Sequence, residues 1–336
     1  MALGIGALAC GQGGTSDAPR TTTASRATGA AVGAAVDASV GAASDPQLAP
    51  ASASARTVDL DAGGPEPLLP IPGASVAEGA RLHATHCARC HGGDGRGRGP
   101  DAAALTHAPT DLTTTAYLCR TTFADRGAPS EADVESALYR GTHAGLAPLT
   151  GLSARARRSL TLHARSLAPG FAAPSGVALV VPPEPPDTPE SRGRGRLVYI
   201  TWGCHGCHGL VGDGAGDADL LRMIRWNDRP LAPGALFDDA KFLCGGTPDA
   251  VYRTIALGMA APMPRYAEMA GMLWRPEPGA WQQKLAERLA PDEHAALRAF
   301  LDTLPEKQTV KTMDPTARRV RAGAILWDLV HYVRAL

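Results

Sequence analysis

Two strings in this 336-residue chain have the residue types and spacing to do chemistry: Cys87-Ala88-Arg89-Cys90-His91 and Cys204-His205-Gly206-Cys207-His208. In each, two thiols stand three positions apart and a histidine follows the second. On one helical turn, thiols so spaced reach the two vinyl groups of a single haem, and the adjacent imidazole then faces the iron as its proximal ligand. The strings therefore point to two covalently bound haem c groups, attached at Cys87 and Cys90 and at Cys204 and Cys207, with His91 and His208 on the irons. Two other chemistries use a Cys-x-x-Cys pair. A zinc knuckle needs a second ligand pair at short spacing, and only the single Cys119 lies anywhere near the first string. A thioredoxin-like dithiol needs a strand-helix-strand setting, and neither string has that pattern around it.

The segments that must position these strings repeat one another in outline. A short helical pattern precedes each: Val76 to His83 before Cys87, and Gly193 to Tyr199 before Cys204. A glycine-rich loop follows each, Gly92 to Gly99 and Gly209 to Gly216. Tyr117-Leu118-Cys119 corresponds to Phe242-Leu243-Cys244. A helical stretch, Val134 to Arg140 or Val251 to Leu257, then runs into Gly141 or Gly258, and a closing helix completes each copy, Ser159 to Leu167 and Ala324 to Leu336. Hence the expected organisation is a segment 1–10, a low-complexity flexible tether over 11–74, one domain over 75–168, a Pro-rich linker over 169–189 and a second domain over 190–336. The second domain carries an insert at about 266–321, in which Pro291-Asp292-Glu293-His294 opens an amphipathic helical pattern, with Trp274 and Trp281 available to pack it down. The insert reads either as a surface for a partner or as local decoration.

With these helices and loops in place, the two segments resemble the small class I type of cytochrome c domain. Gly195 and Tyr199 resemble that family's first helix, Leu329, Tyr332 and Val333 its last, and Gly99-Pro100-Asp101 with Asp111-Leu112-Thr113 its proximal loop. The resemblance implies a mostly α fold of two tandem small helical domains, each around a covalent haem. It makes Met263, in Gly258-Met259-Ala260-Ala261-Pro262-Met263-Pro264, the distal iron ligand of the second haem, with Met259 as its neighbouring competitor. A thioether ligand raises the potential and suits electron transfer. The first domain departs from the pattern. Its loop reads Gly141-Thr142-His143-Ala144-Gly145-Leu146-Ala147-Pro148, with Ala147 in the methionine's place, and no methionine occurs between Met1 and Met223. Three outcomes follow for the first iron: His143 as distal ligand, five-coordination, or a ligand from another domain. His83 and His163 align with Tyr199 and Tyr332 and read as packing residues of the helix crossing, while His107 is a weaker ligand candidate. Cys119 and Cys244 match in the repeat and read either as a disulfide or as two buried thiols.

The function this implies is a di-haem electron carrier working between a donor and an acceptor protein, rather than a catalyst. The alternative is a di-haem oxidoreductase of peroxidase type, or a haem sensor, with an open first iron. Lys plus Arg equals Asp plus Glu at 33 each, so no net field argues for nucleic acid as a partner. Met1 to Ala9 form a short apolar run ending in small residues before Cys10, which resembles the end of a bacterial lipoprotein signal. That places the protein in the periplasm or on the outside of a membrane with Cys10 as lipid anchor; the plainer reading is a terminus with an incidental cysteine.

Overall fold

Among the described residues, six of the helices start where a side chain satisfies their first backbone N–H groups. In the computed structural model, Ser75 accepts from the Glu78 amide and opens helix α1, Val76–His86; a turn later Ala88–His91 forms α2. Ser130 and Asp133 cap one another reciprocally at the start of α3, Glu131–Ala137, and Ser153 caps α4, Ala154–Leu167. Thr188 with Pro189 opens α5, Pro189–Thr201, followed by α6, His205–His208. Thr247 with Pro248 opens α7, Pro248–Leu257, and α8 covers Ala267–Gly271. Three further helices follow: α9, Pro291–Thr303, α10, Lys307–Thr312, and α11, Pro315–Arg334, whose cap Asp314 accepts from the Thr316 and Ala317 amides. The fold is mostly helical. Two short antiparallel strands, Arg225–Trp226 and Arg229–Pro230, are the β-structure among the described residues, with one bridge between Thr122 and Ala178.

The structure describes residues 68–336 apart from 106–107, 118, 124–126, 139–150, 173–175, 218–224, 227–228, 231–241, 243, 260–262 and 277–287. All of these belong to one compact unit, Ser54–Leu336; the other unit, Met1–Ala53, with Cys10 and most of the expected tether, lies outside them. No helix among the described residues is long and apolar enough to cross a membrane.

Two helix crossings organise the frame, and they share one design. At the first, α1 meets α4 through Gly79: a methyl group there would stand 2.0 Å from the Ser159 carbonyl oxygen. At the second, α5 meets α11 through Gly195, where it would stand 2.0 Å from the Asp328 carbonyl oxygen. Only glycine permits such close backbones. Ion pairs flank both contacts, Arg155–Glu78 at 2.9 Å and the bidentate Arg194–Asp328 at 2.7 and 2.8 Å. One turn along, His83 faces His163 with ring centroids 5.1 Å apart, and Tyr199 faces Tyr332 at 5.3 Å. The histidines thus occupy the crossing where the sequence places them.

The larger core gathers Val198, Ile200, Val251, Ile255, Leu326 and Val330 from α5, α7 and α11, with Tyr252 on Trp327 at 4.7 Å. A smaller one holds Tyr117, Val134 and Phe171. The two halves are joined. Phe123 and Leu179 belong to the larger core; the Phe123 amide donates to the Val177 carbonyl and the Leu179 amide to the Thr121 carbonyl. Cys119 and Cys244 form a disulfide with 5.4 Å between their Cα atoms, which resolves the two readings of that pair. The Pro-rich linker is anchored at its ends: Leu179 is buried, and Arg192 on α5 holds Asp187 at 2.7 Å.

The closing helix starts at Pro315, earlier than the pattern from Ala324 suggests, because its first turns are polar and their signal is the Asp314-Pro315 cap. Arg321 on this helix donates to the carbonyls of Gly271 and Leu273 and so pins the start of the insert. Lys307 lies 5.3 Å over the Trp274 ring; Trp281 lies outside the described residues.

Candidate haem-binding sites

Each Cys-x-x-Cys-His string folds as one helical turn. The His91 amide donates to the Cys87 carbonyl at 2.8 Å and the His208 amide to the Cys204 carbonyl at 3.0 Å, so the two thiols and the imidazole of each string share a short helix. Gly92 and Gly209 then leave the turn with the same backbone, φ 80° and ψ 157° and 163°. The loops return alike: Gly97 donates to the His91 carbonyl at 2.7 Å, and Gly214 to the His208 carbonyl at 2.9 Å. Gly99 and Gly216 pass so close beneath their turns that a methyl group would meet a carbonyl oxygen at 2.3 and 2.5 Å. A larger residue at either position would push the loop off the turn.

At the first site the His91 imidazole is buried and its Nδ1 lies 3.0 Å from the Thr110 carbonyl oxygen. That contact fixes Nδ1 as the protonated nitrogen and presents Nε2 for a metal, the arrangement a ligating histidine requires. The Tyr117 hydroxyl nearby in the chain is buried with no hydrogen-bond partner among the described residues. A buried orphan hydroxyl calls for a partner from outside the polypeptide. The Cys87 and Cys90 thiols on one turn and the oriented His91 imidazole fit a covalently bound haem. Burial, then the neighbouring Cys90, pushes the Cys87 thiol up to about 11. His143 and His107 lie outside the described residues.

The second site is walled by aromatic rings. Trp202 stacks on Tyr266 with centroids 4.8 Å apart, and the Tyr266 hydroxyl hydrogen-bonds the Cys204 thiol. Burial raises that thiol to about 12 and also raises Cys207. Among the described residues no three His, Cys, Asp or Glu side chains converge to hold a metal ion.

Met263 is half-buried against the same core as Cys204 and Leu210. Its loop closes on itself: the Met259 amide donates to the Met263 carbonyl at 3.2 Å, and Gly258, at φ +67°, leaves no room for a methyl group, which would lie 2.5 Å from that carbonyl. Tyr199 donates to the Gly209 carbonyl at 2.6 Å, and Arg196 donates to the Leu210 carbonyl, so two side chains of α5 grip the residues just after His208. Sequence reasoning missed Tyr266, Trp202 and Arg196. Trp202, just before Gly203-Cys204, and Tyr266, three residues after Met263, were the available signals.

A cytochrome c family model matches residues 76–132, which include Cys87, Cys90 and His91. A cytochrome c domain implies a covalently bound haem c and a haem-based redox role. Among solved structures, the chain is similar to one from the Kuenenia stuttgartiensis reducing HAO-like protein complex, with 21% identity and a TM-score of 0.57 over 79% of this chain and 98% of that one. At that identity the likeness is one of fold. No curated protein matches the sequence.

Proposed function

We propose that this chain is an exported di-haem electron-transfer protein. One haem c is attached at Cys87 and Cys90 with His91 on its iron, in a domain over 75–168; the other is attached at Cys204 and Cys207 with His208 and Met263 on its iron, in a domain over 190–336. The observation that carries the second site is the recurrence, around Cys204 to His208, of the turn, loop return and glycine helix crossing found around Cys87 to His91. A bound haem would supply one-electron iron chemistry; Cys87, Cys90, Cys204 and Cys207 would hold it, and the Thr110 carbonyl would orient the His91 imidazole. The Cys119–Cys244 disulfide supports an oxidising compartment, hence export to the periplasm or the outer side of a membrane, with Cys10 as the point of lipid attachment. The partners are a donor and an acceptor protein; that the similar solved chain comes from a protein complex agrees with work against a larger redox partner.

A second reading has one specific observation in its favour. Ala147 stands where the second loop has Met263, so the first iron is bound by His143, bound by a residue from another domain, or open, and an open iron would suit a peroxidase-like oxidoreductase or a sensor. The test is expression with haem-maturation machinery, followed by haem counting, EPR and carbon monoxide addition after reduction. Two covalent haems, one fewer in Cys204→Ala/Cys207→Ala, with both ferric irons low-spin and inert to carbon monoxide, are expected for the carrier. A high-spin haem that binds carbon monoxide would transfer the case to the second reading, and a chain with no covalent haem would end both.

A further inference from the structure

Arg196 follows the crossing glycine of α5 and makes contacts that its counterpart in the first half cannot. Its Nη1 donates to the Leu210 carbonyl, two residues past His208, and to the Tyr332 hydroxyl at 2.7 Å. Its Nε and Nη2 reach Glu293 Oε1 at 3.3 and 2.9 Å, and the guanidinium lies 5.6 Å over the Tyr332 ring. The side chain is 18% exposed against 39% for Glu293, so the cation is the more deeply placed of the two charges. In the first half the matching positions are Ala80, His83 and His163: no cation follows Gly79, and His83 Nε2 and His163 Nδ1 have no partner among the described residues. Glu293 comes from the insert, on α9, and the first half has no such segment.

A charge held out of bulk water is screened weakly, so its field acts on any nearby group that changes charge. Reduction of a haem iron adds one electron, which a neighbouring cation favours and a neighbouring anion opposes. We infer that Arg196 and Glu293 are positioning residues that set the reduction potential of the second haem: Arg196, clamped to the loop behind His208, raises it, and Glu293, delivered by the insert, moderates it. This rests on the reading that Cys204 and Cys207 carry a haem. It gives the insert a task, since whatever displaces Glu293 from Arg196 shifts the second potential and leaves the first alone.

The experiment is a spectroelectrochemical titration of the full-length holoprotein beside Arg196→Gln and Glu293→Gln, with the second haem's wave assigned from Cys204→Ala/Cys207→Ala. Arg196→Gln is expected to lower the second haem's reduction equilibrium constant at least about threefold, or about 28 mV at 59 mV per tenfold for one electron. Glu293→Gln, which also breaks the ion pair, is expected to raise it by a similar factor, with the first haem unmoved in both. Opposite signs separate charge from scaffolding, because a clamp that merely holds the loop would fail the same way in either variant. Shifts of the same sign, or none in a protein with two haems, overturn the inference alone. Unmodified Cys204 and Cys207 thiols overturn the second-haem reading and this inference with it. If Arg196→Gln does not fold, Glu293→Gln by itself decides: a lowered or unchanged second potential refutes the inference.

Discussion

Replacing Gly195 by alanine tests the helix crossing on which the second site depends, and α5 supplies its own control. The new methyl group would stand 2.0 Å from the Asp328 carbonyl oxygen and 2.7 Å from Tyr332 Cβ, whereas real contacts of this kind do not fall below 3.0 Å. The nearest obstacle is backbone, which cannot swing aside, so α5 and α11 must part by about 1 Å at the crossing. A gap of that size forfeits about a quarter to a half of each contact across it. Tyr199, Leu329 and Val330, all buried beside the crossing, would feel it. Overpacking of this kind costs about 3 kcal/mol at the upper end of the usual range, and the better helix propensity of alanine returns about 1 kcal/mol. Gly193, on the same helix, has nothing within 4 Å of its absent methyl group, so Gly193→Ala should gain about 0.5–1 kcal/mol. The two variants should therefore differ by about 3 kcal/mol, or about 1 M in urea midpoint at a slope near 3 kcal/mol/M, read by far-ultraviolet circular dichroism. Equal midpoints, or a higher one for Gly195→Ala, would refute a backbone contact at this crossing.

The disulfide spans 125 residues, so Cys119→Ser/Cys244→Ser should lose about 5 kcal/mol of stability by loop-closure entropy; if both thiols alkylate in denaturant without a reductant, the bond is absent. Asp133 is buried and accepts from the Thr121 amide and hydroxyl and the Ser130 amide, at 2.8, 2.9 and 3.0 Å, so Asp133→Ala should cost about 3 kcal/mol in urea unfolding, and an unchanged midpoint would dismiss the network as idle. His83 and His163 should make the fold acid-sensitive. Burial, then its neighbour His163, lowers His83, and burial lowers His163, so below the ordinary value of 6.5 the unfolded chain binds more protons than the folded one. Their contribution is intact above about pH 6.5 and is lost as pH falls through the lowered folded values. His83→Tyr, which copies Tyr199, should flatten that dependence of the urea midpoint; an identical pH profile would show that the pair is not its source.

What sequence made legible was local. The Cys-x-x-Cys-His turns and the glycines that recur around each turn are fixed by neighbours a few residues away, and spacing reports them. The crossing glycine Gly195 was legible through the family resemblance, whereas the role of Gly79 shows only in the structure. What was hidden depends on partners far along the chain. Arg196 stands 97 residues from Glu293 and 136 from Tyr332, and nothing in the pattern around Gly195 distinguishes it from a solvated arginine. Cys119 and Cys244 matched in the repeat, but matching positions in two copies of a pattern have no reason to touch until the chain from Val177 to Leu179 pairs with Thr121 to Phe123 and draws the halves together. The linker's prolines signalled an extended chain, and only tertiary contacts decide whether an extended chain is loose or anchored.

The differences between the two halves say more about function than their likeness. A repeated fold gives two sites one backbone, and with equal surroundings they would hold equal potentials, which gives an electron no preferred direction. Here the surroundings diverge at the positions nearest each proximal turn. One crossing carries two histidines with unpartnered nitrogens; the other carries two tyrosines, an arginine on the loop carbonyl and a carboxylate from the insert. The methionine loop exists in one half, and alanine stands in its place in the other. If Met263 binds the iron of a second haem, its thioether and the half-buried Arg196 cation both favour the reduced state of that site. If two haems are bound, the second should therefore be the higher in potential and the resting place of the electron. The same potentiometric titration that tests Arg196 would refute this ordering by finding the first haem above the second.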